Sequence, residues 1–303
     1  MSGELRAERR PEAVATVGTR YLAARRIKVV LLVALMVLVA LAFLVPFYWM
    51  SLSAFRSLAD IFAYPTKWLP SDFTIDNYTT LFAQTRFLRS YLNSIIVTVS
   101  YIAISLAICS LGGYGLAKYR FAGRNAIFVI FLSTIMIPPV LFLLPQYLII
   151  RSLHLINSYP GLILPGTANI AGLFLLRQYF LTVPDELIEA GRIDGCSEPR
   201  IYSGIILPVV RSGHFVGALI LFGAAWNNFL WPKIVVTTDS MATLTVMISL
   251  IQGMSFEKKG VLTITPYNIL MAASFLIVLP LAILFIRFAG FLRQSVIQAA
   301  LKG

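Results

Sequence analysis

Six runs of this chain, residues 29–53, 91–117, 125–150, 159–180, 205–231 and 267–291, are predominantly apolar and contain no aspartate or glutamate. About 20 helical residues cross a hydrocarbon core about 30 Å thick, so each run is long enough to span a bilayer with some tilt. The fold class that follows is an all-α membrane protein with six transmembrane helices. A length of 303 residues would otherwise suit two soluble domains, but 58% hydrophobic against 13% charged residues overrides that prior.

The runs divide the chain into a basic tail (1–28), a first span (29–53), an outer loop (54–90), a membrane domain (91–291) and a closing tail (292–303). The polar stretch before the first run is too long for an ordinary signal-peptide n-region, so that run reads as an uncleaved span. Orientation follows from basic residues in the flanks. The side holding both termini, the 118–124 turn and the 177–211 region carries 17 Lys and Arg, and the other side carries 8. The excess places both termini in the cytoplasm. The formal charge of +12 is then a record of cytoplasmic flanks and argues for no nucleic-acid partner.

Several runs carry interruptions. The third contains IPPVLFLLP, where Pro138, Pro139 and Pro145 each remove a backbone donor, so a bend or break is expected in mid-membrane, facing a bundle interior or a pathway. Gly112, Gly113 and Gly115 would permit close helix contact near the end of the second run. In the outer loop, Trp68, Phe73 and Tyr78 suit a segment lying along the membrane surface.

Five of the 13 acidic residues gather in one stretch, DELIEAGRIDGCSEPRIYSGIILP, at Asp185, Glu186, Glu189, Asp194 and Glu198. A catalytic site, an ion relay and a docking surface are the alternatives. Asp185 can start a helix, Gly195 can stop it in a left-handed turn, and Ser197 can cap a second helix that tolerates Pro199 and runs straight into the fifth span. Leu187, Ala190 and Gly191 form a narrow face of small and apolar residues, which with Gly195 suits close approach by a groove on a soluble partner. Catalysis finds little support, for the chain has no GxSxG turn and no HExxH pair. His154 and His214 stand alone as packing or interfacial residues, so no metal site is expected, and Cys109 and Cys196 are too differently placed to pair. There is no GxxxxGK[ST] phosphate loop.

From Glu189 to Pro208 the stretch resembles the EAA loop of type I ABC importer permeases: Glu189-Ala190-Gly191, three residues, Gly195, nine residues, Ile205, one residue, then Leu207-Pro208. Asp194 and Tyr202 fall where that family often has Asp and an aromatic residue. Gly191 for the third small residue and Ser212 for a common proline are departures that leave the spacing intact. VPFYWMSLSAFRS, SLGGYGLAKYRFAG, AWNNFLWP, LTVMISLIQG and the final LKG are similar to the carbohydrate branch, the permeases of maltose-type importers, although the usual Gly-rich ending is missing.

The resemblance implies a type I importer permease fold with a short cytoplasmic coupling helix between spans 4 and 5, in a bacterial-type inner membrane. It implies a homologous permease partner, two cytosolic ATPase subunits that hold ATP and Mg, and an external binding protein delivering a carbohydrate-like solute. This chain would bind no cofactor and catalyse nothing itself. Its coupling residues would be Glu189, Ala190, Gly191, Asp194, Gly195, Ile205, Leu207 and Pro208. Asn227 and Asn228 are candidates to hydrogen-bond sugar hydroxyls, with Trp226, Phe229 or Trp231 against a sugar face, and Gln252 and Gly253 to touch the binding protein. An ion-coupled transporter or channel is the alternative, weakened by the lack of carboxylates inside the runs.

Overall fold

A computed structural model describes residues 11–254 and 266–300. Among the described residues every regular element is helical. The first helix, α1 (Pro11–Ser53), already covers part of the expected tail, and residues 11–28 continue into the span without a break. Two short helices follow, α2 (Leu58–Ile61) and α3 (Asp76–Gln84), and then α4 (Phe87–Lys118). The chain closes with α15 (Tyr267–Ala300). Arg25–Ser53, Phe87–Lys118 and Tyr267–Phe288 are apolar enough to cross a membrane unbroken.

The other three spans are bent pairs. In the third, α5 (Arg124–Ser133) and its 3-10 extension meet Pro139–Phe142 and α6 (Leu143–Ser152) at 99°. Ile137 before Pro138 is extended, as a pre-proline residue must be, which ends the first half at the expected place. Pro145 falls in the first turn of α6, where its missing N–H costs no hydrogen bond. The fourth span bends by 52° between the α7 segment (Tyr159–Ile163, extended to Gly166) and α8 (Ile170–Leu181). Asn169 makes this break: its side chain accepts the Gly172 N–H at 2.8 Å and starts a new helix.

The fifth span departs most from expectation. After α9 (Glu186–Ile193), the chain forms an arm from Glu198 to Val209, made of α10 (Glu198–Arg200), a π-helical stretch Ile201–Ile206 and α11 (Leu207–Val209). The arm does not run straight into the span. It meets α12 (Arg211–Trp226) at 80°, and Val210 takes the turn with φ −96° and ψ 16°. Pro208 explains why an unbroken helix is disfavoured: its ring would clash with the carbonyl four residues back, and the wider π turn accommodates it. The helix α12 therefore starts at Arg211, beyond the arm, rather than continuing from 205.

Helices α4, α8 and α12 pack on one another as the centre of the bundle. Close approach depends on small residues: a Cβ on Gly213 would lie 2.4 Å from the Tyr179 ring, and one on Gly113 would lie 3.0 Å from the Arg177 amide nitrogen. Gly115 faces open space and plays no such part. Of the remaining helices, α13 (Leu230–Val235) packs on α7 and α6, and α14 (Leu244–Gly253) packs on α4 and α15.

The loop over 54–90 is more ordered than a surface-lying aromatic strip. Arg56 is 0% exposed, its Nη1 donates to the Lys67 carbonyl at 3.0 Å, its Nε lies 3.6 Å from Asp60, and its guanidinium sits over Trp49. Asn77, also buried, donates to the carbonyls of Ala54 and Arg56 and accepts from Asn268 at 2.6 Å, tying the loop to α15. Trp68 and Phe73 stay exposed, while Tyr78 packs on Phe55.

Candidate functional site

The acidic stretch folds as a helix, a glycine turn and the arm. Gly195 has φ +76° with open space around it, so the left-handed turn that ends α9 uses its lack of a side chain directly. Of the face expected to meet a partner, Leu187, Ala190 and Gly195 are exposed, but Gly191 turns inward. Ile188 and Gly191 are buried, whereas Leu187, Glu189 and Ala190 are exposed. Gly191 is taken up inside the chain: a Cβ there would lie 2.9 Å from Ile205 and 3.1 Å from Ile201. Ile188, Ile201, Ile206 and Val210 join Tyr114, Leu116, Phe180 and Val183 in one apolar cluster that anchors the unit to α4 and α8. Ile205 and Leu207 are half-buried on the arm, and Asp194, Gly195 and Pro208 are exposed.

The carboxylates divide into clamps and free surface. Asp185 stands at the N-cap of α9 but caps nothing; its carboxylate is 2.6 Å from Lys118 Nζ, which also donates to the Val183 carbonyl. That hydrogen bond holds the Asp185 carboxyl below the ordinary range. Glu198 accepts from Arg192 Nε and from the Tyr119 hydroxyl, each at 2.7 Å, bridging α9, the arm and the end of α4. Hydrogen bonding from Arg192 first, then Tyr119, depresses the Glu198 carboxyl, and the same bond pushes the Tyr119 phenol up to about 12. Both partners of the Arg192–Glu198 pair are well exposed, so the pair sets geometry more than stability. Ser197 occupies the second cap position with extended backbone and no side-chain bond.

Behind the arm, Ser110 of α4 is buried and lies 2.6 Å from the Tyr202 hydroxyl and 2.5 Å from His214 Nε2. His214 Nδ1 lies 3.1 Å from the Val210 carbonyl. His214 is thus a hydrogen-bonded half-buried residue, which its isolation in the sequence concealed.

A second candidate is a cavity of about 270 Å³ walled by α4 (Ser94, Thr98, Tyr101), the broken third span (Pro139, Gln146), and the end of α12 and the turn beyond it (Trp226, Asn228). Of the three prolines of the third span, Pro139 alone lines this cavity; Pro138 and Pro145 are exposed and lie outside its lining. Trp226, Asn228 and Trp231 line the cavity, whereas Asn227 and Phe229 do not. Asn227 turns back to the Gly223 carbonyl at 3.0 Å. Trp226 is buried, stacked on Phe222 and donating to the Ile277 carbonyl, so only part of its surface is offered. Ser94, Thr98, Tyr101 and Gln146 escaped sequence reading because single polar residues on apolar helices have no spacing signature. Gln252 and Gly253 are exposed at the end of α14; the rest of their loop, from 255, and the final LKG lie outside the described residues.

Residues 19–298 match the family described as binding-protein-dependent transport system inner membrane component. The chain is 34% identical to the arabinooligosaccharides transport system permease protein AraQ of Halalkalibacterium halodurans, over 77% of this chain and 81% of that protein. It is 30% identical to the sn-glycerol-3-phosphate transport system permease protein UgpE of Escherichia coli, over 78% and 84%. Among solved structures, a chain of a bacterial ABC transporter involved in alginate import superposes with a TM-score of 0.78 at 21% identity, covering 88% of this chain and 97% of that one. That likeness concerns the fold.

Proposed function

Since the chain belongs to the family of binding-protein-dependent transport system inner membrane components, and is a permease subunit rather than an enzyme, we propose that it forms, with a homologous permease, the path for a sugar or polyol-like solute. An external binding protein delivers the solute. Two cytosolic ATPase subunits, which hold ATP and Mg, each receive one coupling helix, and on this chain that helix is α9. The observation that carries the reading is the two-sided build of α9: Ile188 and Gly191 pinned inward, Glu189 and Ala190 presented outward. A helix fixed on one face and bare on the other suits a groove on a soluble partner.

In this reading ATP-driven closure of the ATPases displaces α9, the arm carries the motion to α12, and the path opens outward. Release of ADP and phosphate returns it. Relatives named for arabinooligosaccharides and for glycerol phosphate support a polyhydroxylated solute. The hydroxyl and amide groups of Thr98, Gln146 and Asn228 at the cavity have the chemistry to bond such a solute. Gln252 and Gly253 stand where the binding protein would dock.

Reconstitution tests the reading. Glu189→Arg should lower ATP-dependent uptake roughly tenfold, the scale of a typical coupling energy, while membrane insertion stays normal. Uptake by the isolated permease in response to an ion gradient, without any ATPase, would overturn it. In this reading both termini and Cys196 face the cytoplasm, so Cys196 should react with an impermeant thiol reagent only from that side.

A further inference from the structure

The elbow at Val210 holds a relay of side chains whose proton directions are set by the Val210 carbonyl when the His214 ring is neutral. The Val210 carbonyl can only accept, so the His214 ring carries its proton on Nδ1. A neutral ring then accepts at Nε2, and the Ser110 hydroxyl donates to it. Ser110 Oγ in turn accepts from the Tyr202 hydroxyl. Every proton is used in one direction. Ser110 is 2% exposed, so water does not replace a lost member, and an unpaired buried group costs more than the bond is worth.

The four groups sit on separate bodies. Tyr202 belongs to the arm, Val210 is the elbow, His214 lies in the first turn of α12, and Ser110 belongs to α4. Phe180 of α8 packs against both the His214 and Tyr202 rings. A bend carried by a single residue is a natural hinge, since a few φ/ψ changes there would swing the arm. The relay spans that hinge from both sides.

We infer that Ser110, Tyr202 and His214 are positioning residues that lock the elbow, so that the arm, α12 and α4 move as one body when α9 is displaced. The inference rests on the reading of α9 as the helix that meets the ATPase. Without the lock, displacement of α9 is absorbed at Val210 and does not reach the path.

The test is a distance measurement across the elbow in the assembled importer. Spin labels are placed through R200C and I220C, with C109S and C196S removing the native thiols. The locked elbow gives one narrow distance, the same without nucleotide and with ATP bound. S110A and Y202F should each broaden it at least about twofold, and H214Q, which keeps an acceptor toward Ser110, should stay nearer the parent than H214F. Unchanged widths in S110A and Y202F overturn the lock, as does a parent distance that shifts on ATP binding. If S110A fails to assemble, Y202F decides, since it deletes one hydroxyl from the partly exposed end of the relay.

A second readout is the ATP hydrolysed per labelled arabinooligosaccharide imported, which should rise about threefold in S110A and Y202F. Equal losses of hydrolysis and uptake mark a merely structural role and overturn the lock. If the parent imports no sugar, the proposed solute fails, and the distance widths still judge the elbow because they need no solute.

Discussion

Gly191 and Glu198 show how much of the coupling unit depends on single side chains. Gly191 lets α9 lie against Ile201 and Ile205, so Gly191→Leu forces the helix off the arm. We expect overpacking of about 1–3 kcal/mol, read as a lower melting temperature of the detergent-solubilised protein. Glu198 makes a pH-dependent contribution. Its folded carboxyl titrates below the ordinary value of about 4.3, so its stabilisation is complete above that value and is lost as pH falls through the lower folded one. The melting-temperature gap between the parent and Glu198→Gln should therefore be constant near neutrality and close on acidification; a gap that persists under acid would remove Glu198 from that role. Spacing alone made the loop legible from Glu189 to Pro208. It did not reveal which side of α9 turns inward, because Leu187 and Ile188 are equally apolar and only the position of Ile201 and Ile205 selects between them.

Among the elements, the breaks differ in how plainly the chain announces them. Pro138 and Pro139 announce the 99° bend, since a missing donor and a ring clash act locally whatever the surroundings. The 52° break was also written locally, in the run Pro165, Gly166, Thr167, Ala168, Asn169, but an apolar window passes over a capping residue in its middle. Asn169→Ala should cost about 0.5–2 kcal/mol in denaturant unfolding, the ordinary value of a lost cap. No change would mean that packing alone starts α8. The 80° elbow had no local announcement beyond Pro208. Val210 is an unremarkable residue for a turn, and the angle is held by Ser110, distant in sequence, so tertiary contacts carried what spacing could not.

At the scale of the whole molecule, the six apolar runs match three unbroken helices and three bent pairs, and the charge excess proposes an orientation. Arg56 bears on how that orientation is reached. In the finished fold it is sealed against Asp60, Trp49 and the Lys67 carbonyl, with 0% exposure. None of these partners except Trp49 has been synthesised when Arg56 first emerges, and at that moment it is a bare cation just past the end of α1. Topology is then a race decided before folding: the basic N-terminal flank holds its side while Arg56 pulls the opposite way. Removing Arg25, Arg26 and Lys28 together should invert α1 in part of the population, as protease protection of an N-terminal tag would read. Adding Arg56→Ala should restore the original sense, and failure to restore it would clear Arg56 of any part in the race. The residue that later staples the outer loop would thus be, for the first moments of its existence, a competitor of the fold it completes.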